Sequence, residues 1–331
     1  MPREYGFCGL GNGLVDIQFE ITDSELIELG LAKGEMRLVD VDQQAELWAK
    51  FADKEMHLCS GGSAANTAIA FSKLGGKAAY KTVLGRDENG VFYANEFTEL
   101  GIMLKAEFIE TAPTGSCFVF ITPDSERTMY TALGATACFD KTHIDEELIA
   151  NSEWLYIEGY KFSQDAATEA VCIAHQSAKR SGTKVAVTFS DLFITEYFRD
   201  NLAKVAENCD LIFCNEAEAK SYTKSETVDE AYDKLCAICP NVVVTMGPAG
   251  SKVRWEGKNY LIPSYPATPV DTTGAGDMYA GCFLYGITAA GDPEAACKLA
   301  SYASALVVSQ FGARLNSDLA EIKKEFLPNI L

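Results

Sequence analysis

The stretch DTTGAGDMYAGCF, residues 271–283, sets three small residues, Gly274, Ala275 and Gly276, directly before an acid, Asp277, at the start of an apolar run with helical spacing. Small residues at a helix start leave first-turn N–H groups, which lack intrahelical partners, open to an anion at the positive end of the helix dipole. A carboxylate beside such a hole adds a proton acceptor to a stabiliser of developing negative charge. Phosphoryl transfer to a hydroxyl needs that pair. An aspartate favoured by the dipole alone accounts for Asp277 but not for the whole stretch.

Other clusters carry complementary chemistry. Asp16 follows the turn GLGNG at a strand end. It can accept hydrogen bonds from two adjacent hydroxyls of a sugar, or serve only as a turn residue. In GGSAANTA, Gly61, Gly62 and Ser63 let a ligand approach the backbone, and Asn66 offers both a donor and an acceptor. Helix capping by Ser60 or Ser63 explains a serine, not the cluster. FCNEAEAKSYT carries Asn215, Glu216 and Glu218 after a strand, where an amide and a carboxylate can hold water around Mg²⁺ or simply complement a helix dipole. VVVTMGPAGSKV breaks a buried strand into a turn with Thr245, Gly247 and Gly250, suited to nucleotide phosphates or ribose and also readable as a plain turn.

Several familiar devices are missing. GLGNG lacks the third glycine of a dinucleotide fingerprint, Leu14 standing in its place, and no Gly-Lys precedes Ser or Thr. A single CxxC, Cys236 with Cys239, and three scattered histidines, His57, His143 and His175, do not make a zinc set.

The elements that must position these residues alternate. Short apolar strands such as TKVAVTFS, DLIFCN and NVVVTMG are separated by amphipathic helices such as DAATEAVCIAHQSAKRSG. That rhythm means a parallel sheet covered on both faces, with ligands at the carboxyl ends of its strands. Residues 17–40 and 105–133 break it with β-rich patterns. We expect an α/β chain whose core takes residues 1–16, 60–104 and 134–331, with a lid from 17–59 and 105–133 covering the cleft.

The 331 residues, 48% hydrophobic, can fill a sizeable core. A net charge of -19 argues against nucleic acid as a partner. No segment has the length and apolarity of a membrane span, and the N-terminus lacks a signal peptide's apolar core. Eleven cysteines, most of them in apolar runs, suit a reducing compartment, so a cytoplasmic location is expected.

Together these residues resemble the ribokinase (phosphofructokinase B) family of small-molecule kinases. GGSAANTAIAFSKLGG and DTTGAGDMYAGCF are similar to its two signatures, and the order Asp16, GGSAAN, NxxE, TxGxxG, DTTGAGD spans nearly the whole chain. The resemblance implies a three-layer α/β/α core with a mainly parallel sheet and a small β-sheet lid, using ATP and Mg²⁺. It implies Asp277 as the base, with Gly274, Ala275 and Gly276 as the anion hole. Asp16, Gly62 and Asn66 would hold the acceptor, Asn215 and Glu218 would organise Mg²⁺ and phosphate, and Thr245 and Gly247 would line the ATP site. Asp271 and Thr273, with backbone around Gly312, match where many members bind a monovalent cation such as K⁺, although Phe311 and Asn316 depart from the side chains found elsewhere. GLAKGEMRLVD and PDSERTMYTALGA look most like the adenosine kinase branch, in which a lid arginine, here Arg127, can meet the transferred phosphate; otherwise Arg127 is an exposed charge. Phe118 and Tyr160 are stacking candidates for a base on aromatic character and position. The expected activity is phosphorylation of the 5′-hydroxyl of a purine nucleoside. A sugar acceptor (fructose, ribose or a keto-deoxy acid) and a silent nucleoside-binding protein are the alternatives, and monomer and homodimer are both open.

Overall fold

The computed structural model describes residues 3–330 other than residues 35, 52, 125 and 316. Asn316, expected to bear on a cation site, lies outside the described residues. In chain order the strands are β1 Tyr5–Leu10, β2 Leu14–Glu20, β3 Met36–Leu38, β4 His57–Gly61, β5 Ala78–Gly85, β6 Met103–Ile109 and β7 Gly115–Ile121. They continue with β8 Arg127–Ala132, β9 Ser152–Ile157, β10 Lys184–Thr188, β11 Leu211–Asn215, β12 Val242–Thr245, β13 Ser251–Trp255 and β14 Lys258–Ile262.

Nine of them form one sheet in the order β14-β13-β12-β11-β10-β9-β1-β5-β6. From β6 through β12 every pairing is parallel, and β13 and β14 add an antiparallel hairpin at one edge. The strands read as continuous apolar runs because both faces are buried. Trp154, Tyr156, Phe213 and Val243 enter the core on one face, and Leu155, Ile157, Ile212 and Val244 that on the other. Helices Ser63–Lys73, Ala275–Ala289 and Pro293–Val307 cover the first face, and Asp165–Ser181, Arg199–Ala206 and Val228–Ile238 the second. This is the expected three-layer α/β/α core. Among the described residues no helix is long and apolar enough to cross a membrane.

The lid is a five-stranded sheet, β3-β8-β7-β2-β4. Its outer face buries Phe19, Phe118 and Phe120 against Trp48 and Phe51 of the helix Val41–Phe51. Its boundaries differ from the expectation. β6, part of which was assigned to the lid, pairs with β5 in the large sheet, while the lid takes β2 from Leu14 and β4 to Gly61. The stretch 17–40 also holds a helix, Asp23–Glu28, closed by a reciprocal capping box between Thr22 and Glu25.

Candidate active site

The carboxyl ends of β9, β11 and β12 deliver Glu158, Asn215 and Thr245 to a cavity of about 570 Å³ roofed by the lid. A second cavity of about 420 Å³ shares Thr245, Gly247, Ala275 and Gly276 with the first and adds Gly250, Tyr265 and Ser304. The two meet at the start of the helix Ala275–Ala289.

Gly274 caps that helix with φ 75°, a left-handed conformation that favours glycine, and a Cβ there would lie 2.4 Å from the Ala313 methyl. Gly276, by contrast, has no heavy atom within 4 Å of where its Cβ would stand, so its face opens on the cavities. The Ala275 N–H reaches back to the Thr272 carbonyl at 3.3 Å. One turn further on, Gly281 lets the helix approach Ser63–Lys73 closely, since a Cβ there would be 2.6 Å from the Thr67 carbonyl. That close crossing brings two donors to Asp277. Ser63 Oγ donates to Oδ1 at 2.6 Å and Asn66 Nδ2 to Oδ2 at 3.2 Å. Ser63 and Asn66, expected to meet the acceptor, orient the acid as well as line the cavity. Burial pushes the Asp277 carboxyl up to about 6; the bonds from Ser63 and Asn66 oppose the rise, and the charge of Asp16 adds to it.

Asp16 lines the large cavity, and among the described residues its carboxylate accepts no hydrogen bond, which leaves it open to a ligand. Burial lifts its carboxyl to about 6 against the pull of Arg127 and Arg314. Gly61 lies beneath it, where a Cβ would strike its carboxylate at 2.6 Å. Gly62 has φ 106° and passes so close to the Asn12 carbonyl that a Cβ would be 2.3 Å from it.

Asn215 and Glu218 form a capping box: Glu218 N–H donates to Asn215 Oδ1 at 2.8 Å, while Asn215 Nδ2 and N–H donate to the Glu218 carboxylate at 2.7 and 3.0 Å. Both line the large cavity. Burial, reinforced by Asp191 and Asp277, pushes the Glu218 carboxyl up to about 7, a deficit that a cation would relieve. Mg²⁺ keeps several waters and needs few protein ligands, so this pair fits one held through water and phosphate oxygens.

Three expectations are corrected. Phe118 is 3% exposed and packs on Phe19 and Trp48, away from the cavity. Side chains alternate along a strand, so its neighbour Cys117 faces the site, in one row across the lid with Leu38, Thr131 and Asp16. Tyr160 does line the cavity, its hydroxyl donating to Asp191 at 3.3 Å. Arg127, expected to meet the transferred phosphate, lines neither cavity and pairs with Asp271 at 2.5 Å, and at 8% exposure it is no exposed charge either. Gly250 lines the second cavity, together with Thr245 and Gly247. Finally, the monovalent cation does not fit. Asp271 Oδ2 already accepts from Arg127 Nη1 and from the Gly312 N–H at 2.9 Å, and Oδ1 from the Thr273 N–H at 2.9 Å.

Sequence reasoning passed over Glu158, which has no exposure and whose carboxylate accepts from the Ala64 N–H at 3.0 Å and the Asn12 N–H at 3.3 Å. Burial raises it to about 7, and Lys161, lowered to about 8 by burial, opposes that rise. An acid ending the apolar run LYIE was the visible signal. Arg314 was also missed; it donates to Glu96 at 2.6 Å and to Ser60 Oγ at 2.7 Å from a loop without pattern.

Comparison with known proteins fits this geometry. A family model described as pfkB family carbohydrate kinase matches residues 33–319. Adenosine kinase of Saccharomyces cerevisiae is 28% identical, over 95% of this chain and 98% of its own length. The crystal structure of adenosine kinase from Sinorhizobium meliloti matches with TM-score 0.88 at 31% identity, covering 97% of this chain and 99% of its own. That of a probable sugar kinase from Rhizobium etli matches with TM-score 0.89 at 30% identity, covering 98% of each chain.

Proposed function

The chain belongs to the PfkB family of carbohydrate kinases, ATP-dependent phosphotransferases that use Mg²⁺, and we propose that this member phosphorylates the primary 5′-hydroxyl of a purine nucleoside, adenosine foremost. One observation supports the nucleoside over a bare sugar. Beside Asp16 and Asn66, the lid and its flanks contribute a mainly apolar wall, with Leu14, Met36, Leu38, Met129 and Leu133 outnumbering Thr131. A pentose would leave that wall wet, whereas a base attached to it would cover the wall. The adenosine kinases among the relatives support the same acceptor.

In this reading the ribose diol hydrogen-bonds to Asp16, and the 5′-hydroxyl meets Asp277, held by Ser63 and Asn66. ATP occupies the second cavity along Thr245, Gly247 and Gly250, its terminal phosphate at the start of the helix Ala275–Ala289. Asp277 takes the hydroxyl proton as the oxygen bonds to the γ-phosphorus and the bond to the β-bridging oxygen breaks, releasing ADP. Helix-start amides carry the charge that develops on the phosphoryl oxygens. Mg²⁺, when held by Asn215 and Glu218 through water, supplies neutralisation of the ATP phosphates. The eleven free thiols suit a cytoplasmic setting for this activity.

A panel of adenosine, inosine, ribose and fructose with MgATP tests the acceptor. Adenosine should give saturable ADP formation. Turnover of a sugar with none of either nucleoside would overturn the reading.

A further inference from the structure

Asp271 opens the DTTGAGD turn in the core, and Arg127 begins β8 in the lid. The two are 7% and 8% exposed and meet at 2.5 Å. We propose that Arg127 is the resident cation of this turn, filling the place at Asp271 where a monovalent ion would bind and making catalysis independent of one. The proposal rests on the kinase reading above and adds to it a source for the site's fixed positive charge.

The donors around Asp271 carry the argument. A monovalent cation needs oxygen lone pairs converging on one point. Here the loop after the helix Pro293–Val307 turns the N–H of Gly312 toward the carboxylate, and the Val308 carbonyl is engaged by the Val270 N–H at 2.7 Å and the Asp271 N–H at 3.2 Å. With Thr273 N–H on Oδ1, the carboxylate is surrounded by donors. A guanidinium satisfies that arrangement because it is itself a planar array of donors, always charged. Its position answers to Asp271 more than to its own needs, since Arg127 Nε is buried without an acceptor among the described residues.

The location gives the charge a task. Gly274 lies against Ala313 of the same loop, so the start of the anion hole and the surroundings of Asp271 are one packed unit. An unneutralised carboxylate there would oppose the positive helix end that must receive phosphate. A diffusible ion would answer that need at a rate set by its concentration. An arginine on β8 answers it whenever the lid is docked. Arg127 is thus a positioning residue, acting on the anion hole through Asp271.

The test compares tetramethylammonium with K⁺ as the buffer cation. Wild-type ADP formation with adenosine should agree within about twofold between the two salts. Arg127→Ala should lose about tenfold or more in tetramethylammonium, as for removal of a preorganised charge, and regain most of it with K⁺ or free guanidinium. Melting of the unliganded protein gives a second readout: K⁺ should raise the Tm of Arg127→Ala and leave that of the wild type unchanged. Saturable K⁺ activation of the wild type, a K⁺-dependent Tm in the wild type, or a folded Arg127→Ala deaf to both cations overturns the proposal. If Arg127→Ala does not fold, Arg127→Lys decides: K⁺ insensitivity supports the resident charge and K⁺ activation overturns it. Absence of ADP with every acceptor in either salt is a failure of the kinase reading instead, and the melting arm then still tests the cation.

Discussion

At the scale of the residue, the proposed reaction turns on Asp277. Its carboxyl sits at about 6, so it is ionised and basic at neutral pH, and turnover should fall as pH drops through that value. Asp277→Asn should lose roughly 10²-fold or more in kcat, the contribution of a positioned general base. The same substitution should raise stability. The folded pKa lies above the ordinary 3.8, so the folded state binds the proton more tightly and stability declines as pH rises between those values. An amide at this position carries no such cost and can still accept from Asn66 and donate to the Ser63 hydroxyl. Thermal melting of the variant should therefore exceed wild type at pH 8, with the margin shrinking toward pH 4. The acid, its small neighbours and Asn66 were legible as types in DTTGAGD and GGSAAN. Their mutual bonding was not, because it depends on how closely two helices cross at Gly281, a distance no local pattern encodes.

At the scale of the element, the helix start separates two glycines that read alike in sequence. Gly274→Ala forces a methyl into Ala313 at a left-handed φ and should destabilise the fold by roughly 1–3 kcal/mol. Gly276→Ala meets nothing and improves helix propensity, so it should hold or gain up to about 1 kcal/mol in chemical denaturation. Its methyl nonetheless projects into the mouth shared by both cavities, and kcat should drop by about tenfold or more. A Gly276→Ala protein as active as wild type would show that phosphate does not approach this face. The lid teaches a related lesson about legibility. Its β character was readable from alternation and turn residues, and so was an aromatic residue at 118. Which of two adjacent residues faces the ligand depends on register, and a shift by one exchanges Phe118 for Cys117.

At the scale of the whole molecule, lid and core are tied by two arginines, Arg127 to Asp271 and Arg314 to Ser60 and Glu96. Arg314 also lowers the Asp16 carboxyl toward its ionised form. Arg314→Ala should therefore raise the pH below which acceptor affinity fades, while costing roughly 1–3 kcal/mol from the charged hydrogen bonds lost. Adenosine KM against pH, alongside denaturation, reads both effects; an unmoved profile would mean that Arg314 acts through packing alone. The α/β layering was legible because buried parallel strands and amphipathic helices announce themselves by period. The ties were not, since each joins residues more than a hundred positions apart.

Among the described residues three α-helices start at this cavity, and carboxylates occupy two of the starts, one of them Glu218 in the capping box of Glu216–Thr223. Glu158 sits at the start of Ser63–Lys73, bonded to the Ala64 N–H, while the start of Ala275–Ala289 opens on ligand space at Gly276. The site is thereby polarised. In the proposed reaction Asp16 and Asp277 would disfavour an acceptor that carries its own carboxylate, and a product newly bearing a phosphate would stand beside both. On the proposed reading the pocket would take in uncharged compounds and repel the phosphorylated product it makes.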